Sequence, residues 1–422
     1  MTFPTDAVTV TLAPDVVVTA EGFLREDVTT AIGDPLLAAA LAAGIPLGTV
    51  AERSEMPVLL RRQLLVLRIA DMVVAMPAGS GVRWTHNPLA DALDDRPHAR
   101  LSRYAVLRRE GQRWVLESGR SRWRIVLQAS VLATLGDLQQ PEAQPLRTLL
   151  AITDMLDRDD AATEANYWTP HERLFAAFSR ADRSEHPGMS AYRSPPPPAR
   201  RPDPPVGERI PLPVPTAASG NGPPLWEVIE RRRSVREFAP EPMSLSALGS
   251  LLWHTLRVVR CNLRDAGDPD SYETVFRPVG SGGAMHATDL WLVCDRVTGI
   301  APGVWWYDPF AHALVRVENA APQSAERFLA TLRSEGYAPA VLGLLTARHA
   351  RTARKYAGIA YALELKDAGV IMHALQLAAV ALDVGMCPLG SGPTSDVCNL
   401  LALDPERDTP VGEFLLGMPA QG

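Results

Sequence analysis

Residues 355–390, "KYAGIAYALELKDAGVIMHALQLAAVALDVGMCPLG", decide how the C-terminal half of the chain is read. Their alanine-rich middle, roughly Ile359 to Leu382, predicts one long helix. A lysine and a tyrosine, Lys355 and Tyr356, stand just ahead of it. A lysine whose pKa is lowered by burial can act as a general base, and a neighbouring phenol can orient or donate; the same pair also suits an ordinary surface. The loop that follows, "CPLGSGP" at 387–393, either offers backbone amides to a ligand or only joins a helix to a strand.

Upstream lies a glycine cluster, "RPVGSGGAMHATD" at 277–289, where three glycines flank Ser281 just before the apolar strand "DLWLVCD". Glycine lets the backbone approach a flat ligand closely and adopt positive φ, although a plain turn has the same composition. No helix opens from the cluster, so it is not a dinucleotide fingerprint. Further upstream "PLWEVIERRR" reads as a short helix. "MSLSALGSLLWHTL" reads as another, with Ser244 as N-cap and Leu245, Leu248, Leu251 and Leu252 on one face. With the hairpin "GVWWYDPFAHALVRV" and a final strand "VGEFLLGMP", this half predicts an α+β domain over 225–422. At the end of its first helix, "ERRRSVREF" places Arg232, Ser234 and Arg236 around one turn. Such a group makes a phosphate clamp, or a solvated helix end whose arginines complement the dipole.

The remaining organisation follows from composition. The stretch "SPPPPARRPDPPVGERIPLPVPTAASGNGPP", Ser194 to Pro224, holds roughly a dozen prolines and predicts an extended connector. Before it, helical patterns run from Phe23 to Met76, and strand-like runs "LSRYAVLRREGQRWVLES" and "SRWRIVLQ" precede short helices. These predict two winged-helix-like modules, 1–90 and 100–190, either ligand-free or peptide-binding. The chain has 422 residues, 46% of them hydrophobic, and a formal net charge of −6, which describes a globular protein and argues against nucleic-acid binding. Its four cysteines form no CxxC pair, so a metal site is not expected. There is no secretory leader pattern and no apolar run of about 18 residues, which predicts no membrane span and a reducing, cytoplasmic setting.

In order, "RRRSVREF", "SGGAMHATDLWLV", the stretch from "KYAG" to "CPLG", and "FLLGMP" resemble the FMN-dependent nitroreductase superfamily. The resemblance is closest to its SagB-type azoline dehydrogenases, which help make thiazole- and oxazole-containing peptides. It covers about 224–420, and "YWTPHERLFAAFSRADRSEHPGMSAYR" before the proline run is similar to that branch's leading region.

The resemblance implies a homodimer with two FMN sites at the subunit interface. Arg232, Ser234 and Arg236 would hold the phosphate with Arg233 assisting; Ser281, Gly282 and Gly283 would lie against the isoalloxazine ring; Leu389 and Gly390 would offer amides from the other side. Lys355 and Tyr356 match the pair the branch uses to oxidise thiazolines or oxazolines in a ribosomally made peptide, with oxygen as reoxidant. A cyclodehydratase partner is implied too, with the N-terminal modules contacting leader or partner by strand addition. The chain departs from the branch at Ile359 and Ala362, where arginines are usual, at Val370 and His373-Ala374, and at Gly280, His286 and Ala287. Two other readings are an NAD(P)H-dependent nitro- or quinone reductase, and a flavin-fold scaffold that recruits peptide and partner enzymes.

Overall fold

The computed structural model describes residues 8–19, 22–25, 28–30, 34–50, 53–78, 100–157, 167–180, 197–215, 222–265, 271–356 and 358–420. Residues 181–196 and 216–221, at the flanks of the proline-rich stretch, lie outside them, as does Ala357. The chain divides into two compact units, Met1–Pro187 and Gly188–Gly422.

The first unit is built on one antiparallel sheet. Its strands are β1 (Val8–Leu12), β2 (Ile45–Pro46), β3 (Leu65–Ile69), β4 (Val73–Pro77), β5 (Ala105–Glu110), β6 (Arg113–Ser118) and β7 (Trp123–Leu127), in the order β2-β1-β3-β4-β7-β6-β5. This corrects the expected division into two modules. Trp123 to Leu127 pair residue by residue with Pro77 to Val73, so both halves share a sheet and one apolar core.

The expected helices within Phe23–Met76 are corrected as well. Helix α1 (Pro35–Ala43) starts only at the proline, where Asp34 accepts the amides of Leu36 and Leu37 at 2.9 and 3.2 Å. Met56–Arg61 is a short helix, but "LVLRI" and "VVAMP" form the hairpin β3–β4. Four of the five residues of β3 are buried, and a continuous apolar run has no period to separate a buried strand from a buried helix. Helix α2 (Gln144–Ile152) covers the sheet with Leu146, Leu149 and Leu150.

The second unit is α+β. Strands β8 (Arg209–Pro211), β9 (Thr288–Cys294), β10 (Gly303–Asp308), β11 (Ala313–Arg316), β12 (Val341–Arg348), β13 (Gly385–Leu389) and β14 (Asp408–Gly417) form an antiparallel sheet in the order β8-β11-β10-β9-β12-β14-β13. Both faces are covered, which is why β9 and β12 are buried along their whole length. On one face, α4 (Leu245–Thr255) and α6 (Ala360–Ala381) pack Leu248, Leu251, Ile371 and Leu375 against Leu292, Phe414 and Leu416. Burial of each such side chain contributes about 1.5–3 kcal/mol. On the other, α5 (Pro322–Ser334) and α7 (Thr394–Leu401) pack Leu329, Leu332, Val397 and Leu400 against Val293, Leu342 and Leu415. Ser244 caps α4 by accepting the Ala247 amide at 3.0 Å. A shorter helix, α3 (Leu225–Arg231), leads into the arginine segment.

The proline-rich stretch is extended but is no free connector where it is described. Residues 197–215 belong to the second unit. Arg209 to Pro211 add the edge strand β8 to the sheet, a position where proline's missing N–H is tolerated. Arg201, 5% exposed, makes a two-pronged ion pair to Asp408 at 2.7 and 3.1 Å and reaches Asp289 at 2.9 Å. Arg348 and Arg351 donate to the carbonyls of Pro198, Ala199 and Pro197 at 2.7–2.9 Å. Proline cannot donate, but its carbonyl still accepts, so arginines anchor the stretch by its oxygens.

Candidate functional site

The arginine segment follows α3 and runs along β13, the outermost strand of the sheet. The Val235 amide donates to the Met386 carbonyl at 2.9 Å, and further on Ala239 and Ala420 exchange bonds with Met418 and Glu237. Backbone pairing therefore holds Arg232 to Arg236 beside the strand that ends in Leu389, next to Gly390. A groove of about 440 Å³ opens between this segment and α6, lined by Arg232, Arg233, Gln376, Val380 and Met386. Arg231 is occupied by Glu227 and Asp383, both at 3.2 Å. Arg232, Arg233 and Arg236 have no ion pair among the described residues. Burial pushes the nearby Cys387 thiol up, against the opposing pull of the Arg236 charge. The segment thus presents guanidinium groups with no ion pair among the described residues, together with the half-buried Ser234, as an anion site requires.

The glycine loop lies at the other end of α6. Ser281 Oγ donates to Asp367 Oδ2 at 2.5 Å, and the Gly282 amide donates to Asp367 Oδ1 at 3.1 Å. Burial pushes the Asp367 carboxyl up, only partly offset by these two bonds. Gly283 has φ +60°, and a Cβ there would stand 2.5 Å from the Tyr356 hydroxyl and 2.8 Å from Lys355 Nζ. The loop needs glycine both for its backbone and for the approach of the Lys-Tyr pair. Arg351 ties the two together, donating through Nε to the Met285 carbonyl at 2.7 Å.

Lys355 Nζ donates to the Tyr272 hydroxyl and lies 4.5 and 5.3 Å from the ring centroids of Tyr272 and Tyr356. Burial lowers its pKa, but the bond to Tyr272 and the two phenols outweigh burial, and the net direction is upward. The expected lowering of the Lys355 pKa by burial is thus opposed here by its phenol neighbours. His286, by contrast, is pushed down to about 3 by burial and the charges of Arg277 and Arg351, so it is neutral.

The predicted residues therefore fall into two groups. Arg232, Arg233, Ser234, Arg236, Leu389 and Gly390 share one sheet edge; Ser281, Gly282, Gly283, Lys355 and Tyr356 surround the glycine loop. Asp367 and Gln376 mark the two groups on α6, and nine residues of helix separate them by about 13 Å along its axis. Sequence reasoning missed Asp367, Tyr272 and Arg351. Asp367 lies inside the stretch that decided the fold, but nothing in its neighbours says that it faces Ser281.

Close by, His349 Nδ1 is 3.2 Å from the buried Glu364, and this bond raises the imidazole above 6.5 despite some burial. The stabilisation from a raised histidine is complete below the unfolded pKa and is lost as pH rises through the folded value. His349→Gln should therefore flatten the fall in Tm as pH is raised from about 6.5, measured by thermal denaturation beside the wild type.

Among the described residues no helix is long and apolar enough to cross a membrane, and no group of three His, Cys, Asp or Glu stands where it could hold a metal. Residues 229–418 match the model of the Nitroreductase family. The matched residues lie within the second unit, whose described sheet and flanking helices have the nitroreductase fold. A Methanocaldococcus jannaschii protein named as a nitroreductase is 26% identical over 181 residues, 42% of this chain and 84% of its own length. The Escherichia coli microcin synthetase McbBCD complex with truncated pro-MccB17 bound superposes with a TM-score of 0.38 at 21% identity, covering 49% of this chain and 74% of that one. An Anabaena variabilis structure named for a nitroreductase covers 98% of this chain and 80% of its own, at 14% identity and a TM-score of 0.39.

Proposed function

We propose that the nitroreductase domain is an FMN-dependent oxidoreductase that oxidises thiazoline or oxazoline rings of a ribosomally made peptide to azoles. The observation that carries this reading is the glycine loop with Lys355 and Tyr356 held against it, together with guanidinium groups, toward the other end of α6, that have no ion pair among the described residues. Arg232, Ser234 and Arg236, with Arg233 near them, suit the FMN phosphate. Leu389 and Gly390 suit one edge of the ring system, and Ser281 to Gly283 suit its face. When bound, FMN supplies an electron sink that takes up a hydride.

Because one chain keeps these two groups at opposite ends of α6, a complete site takes one group from each of two copies. A homodimer is consistent with the apolar residues that α3 and α6 leave at the surface: Trp226 is 74% exposed, with Leu225, Ile229, Tyr361, Leu365 and Val370 also exposed. Substrate peptide and a cyclodehydratase partner complete the proposal.

The chain's own contribution is proton handling. Lys355 donates to the Tyr272 hydroxyl and faces two phenol rings, so the part proposed for it is to stabilise negative charge on a phenol oxygen while Tyr356 accepts or returns the ring-carbon proton. Lys355→Ala should lower kcat by about 10²–10⁴-fold, whereas Lys355→Arg, which keeps a permanent charge, should retain a substantial part of it. Turnover of an azoline-containing peptide under oxygen, followed by the mass loss of two hydrogens per ring, is the assay. Equal loss in the two variants would return the base role to a neutral lysine. Rapid oxidation of NADPH with a quinone or nitroarene and none of the peptide would replace the peptide reading by a reductase.

A further inference from the structure

A second cavity, of about 390 Å³, lies on the face of the sheet away from α6. Its walls are α5, the turn after β13 and α7, and its floor is Glu413 of β14. The alternation of β14 fixes that direction: Phe414 and Leu416 pack with α6, while Leu415 packs with α5 and α7, and Glu413 takes the side of Leu415. The cavity shares the Leu389–Gly390 turn with the arginine edge but opens on the opposite face. Its volume lies within the range of small-ligand pockets.

Glu413 is 5% exposed and has no hydrogen bond or ion pair among the described residues. Burial alone raises its carboxyl. A buried carboxylate without a partner costs several kcal/mol. The Glu413 carboxyl lies against Gly392, where a Cβ would stand 2.1–2.3 Å from its atoms, so any larger residue there would push the carboxyl end aside. An apolar residue on β14 would have filled the same space at no such cost.

The lining chooses the ligand. Glu335 and Asp396 add two carboxylates against one guanidinium, Arg327, so the cavity favours a cation over an anion. No trio of metal-ligating side chains is present among the described residues, which disfavours a divalent ion. Phe328 and Tyr337 contribute aromatic rings, and aromatic faces attract alkylammonium and guanidinium groups. The geometry points to a binding site for an organic cation, an alkylammonium or guanidinium group, with Glu413 as its counter-ion.

The test is calorimetric titration of the full-length protein, at neutral pH, with Nα-acetyl-lysinamide, Nα-acetyl-argininamide and the neutral, similarly shaped Nα-acetyl-norleucinamide. Saturable binding of a cationic probe, with none of norleucinamide, is expected. Glu413→Gln, which keeps shape and removes the charge, should weaken binding at least about tenfold, the scale of one charge-assisted bond. Gly392→Ala, which crowds the carboxyl end, should weaken binding less than Glu413→Gln. The source of the cation follows from two more probes: a capped Ala-Lys-Ala peptide that binds tighter than butylamine identifies a peptide side chain, and equal binding identifies a free amine. No saturable binding of any cation, equal binding of norleucinamide, or unchanged affinity in Glu413→Gln overturns the site. The cavity shares Leu389 and Gly390 with the proposed flavin site, so the titrations are run on flavin-free and on FMN-saturated protein, and cation binding to the flavin-free protein stands whether or not the flavin assignment holds.

Discussion

Alanine at both Arg232 and Arg236 should weaken FMN binding by about 10²- to 10⁴-fold while leaving riboflavin binding nearly unchanged. A hydrogen bond to a charged group contributes about 1.5–3 kcal/mol, and two of them amount to about 3–6 kcal/mol, with each 1.4 kcal/mol worth tenfold. Riboflavin lacks the phosphate, so the comparison separates loss of a phosphate contact from general damage. Arg231→Ala is the internal control. Its guanidinium is already shared between Glu227 and Asp383, so its loss should leave FMN affinity within about twofold, as expected of a surface pair worth less than about 1 kcal/mol. Fluorescence titration of the flavin-free protein measures all three. If Arg231→Ala released FMN as readily as the double variant, the assignment of the arginines along β13 would be wrong.

The largest stability effect should come from the proline-rich segment. Arg201 is buried with Asp408 and Asp289, its guanidinium 5.2 Å from the Trp291 ring centroid. Its charge is favoured by Asp408 and Asp289 more strongly than burial disfavours it. Removing Arg201 takes the guanidinium from buried Asp408 and leaves Asp289 with Arg348 alone, at 3.3 Å, and breaking such a buried pair costs about 3–5 kcal/mol. Arg201→Ala should therefore shift the second unit's unfolding midpoint in urea to a clearly lower concentration, with the slope unchanged. The double change Arg201→Met with Asp408→Leu should cost less than Arg201→Ala alone, since it removes charge from both sides. A loss of unfolding free energy below about 1 kcal/mol in Arg201→Ala would mean that the segment is not anchored as described.

The legibility of this fold depended on what each signal measures. Helix α6 was plain because alanine and leucine recur over more than twenty residues with no proline, and the strand after it ends at "PLG", where glycine and proline mark the turn. The hairpin β3–β4 was hidden because "LLVLRIADMVVAM" is apolar on both sides of its turn, and the burial of β3 on both faces removes the alternation that would reveal it. The proline-rich stretch was read as extended, which it is, but composition says nothing about where a carbonyl is accepted. Its anchors, Arg348 and Arg351, lie about 150 residues away in sequence.

The candidate site divides in the same way. Arg232, Ser234 and Arg236 are close in sequence, so local spacing already placed them together. Lys355, Tyr356 and Gly283 are brought together only by tertiary packing, and Tyr272 and Asp367 carry no motif of their own. The direction of the Lys355 pKa was hidden for the same reason. Burial was foreseen, but the phenol of Tyr272 that reverses its effect was not.

The most direct measurement is the visible absorbance of the purified full-length protein, after removal of small molecules and after titration with FMN. The account predicts a flavin spectrum that saturates at one FMN per chain and survives gel filtration. Protein that remains colourless after FMN is added would contradict it.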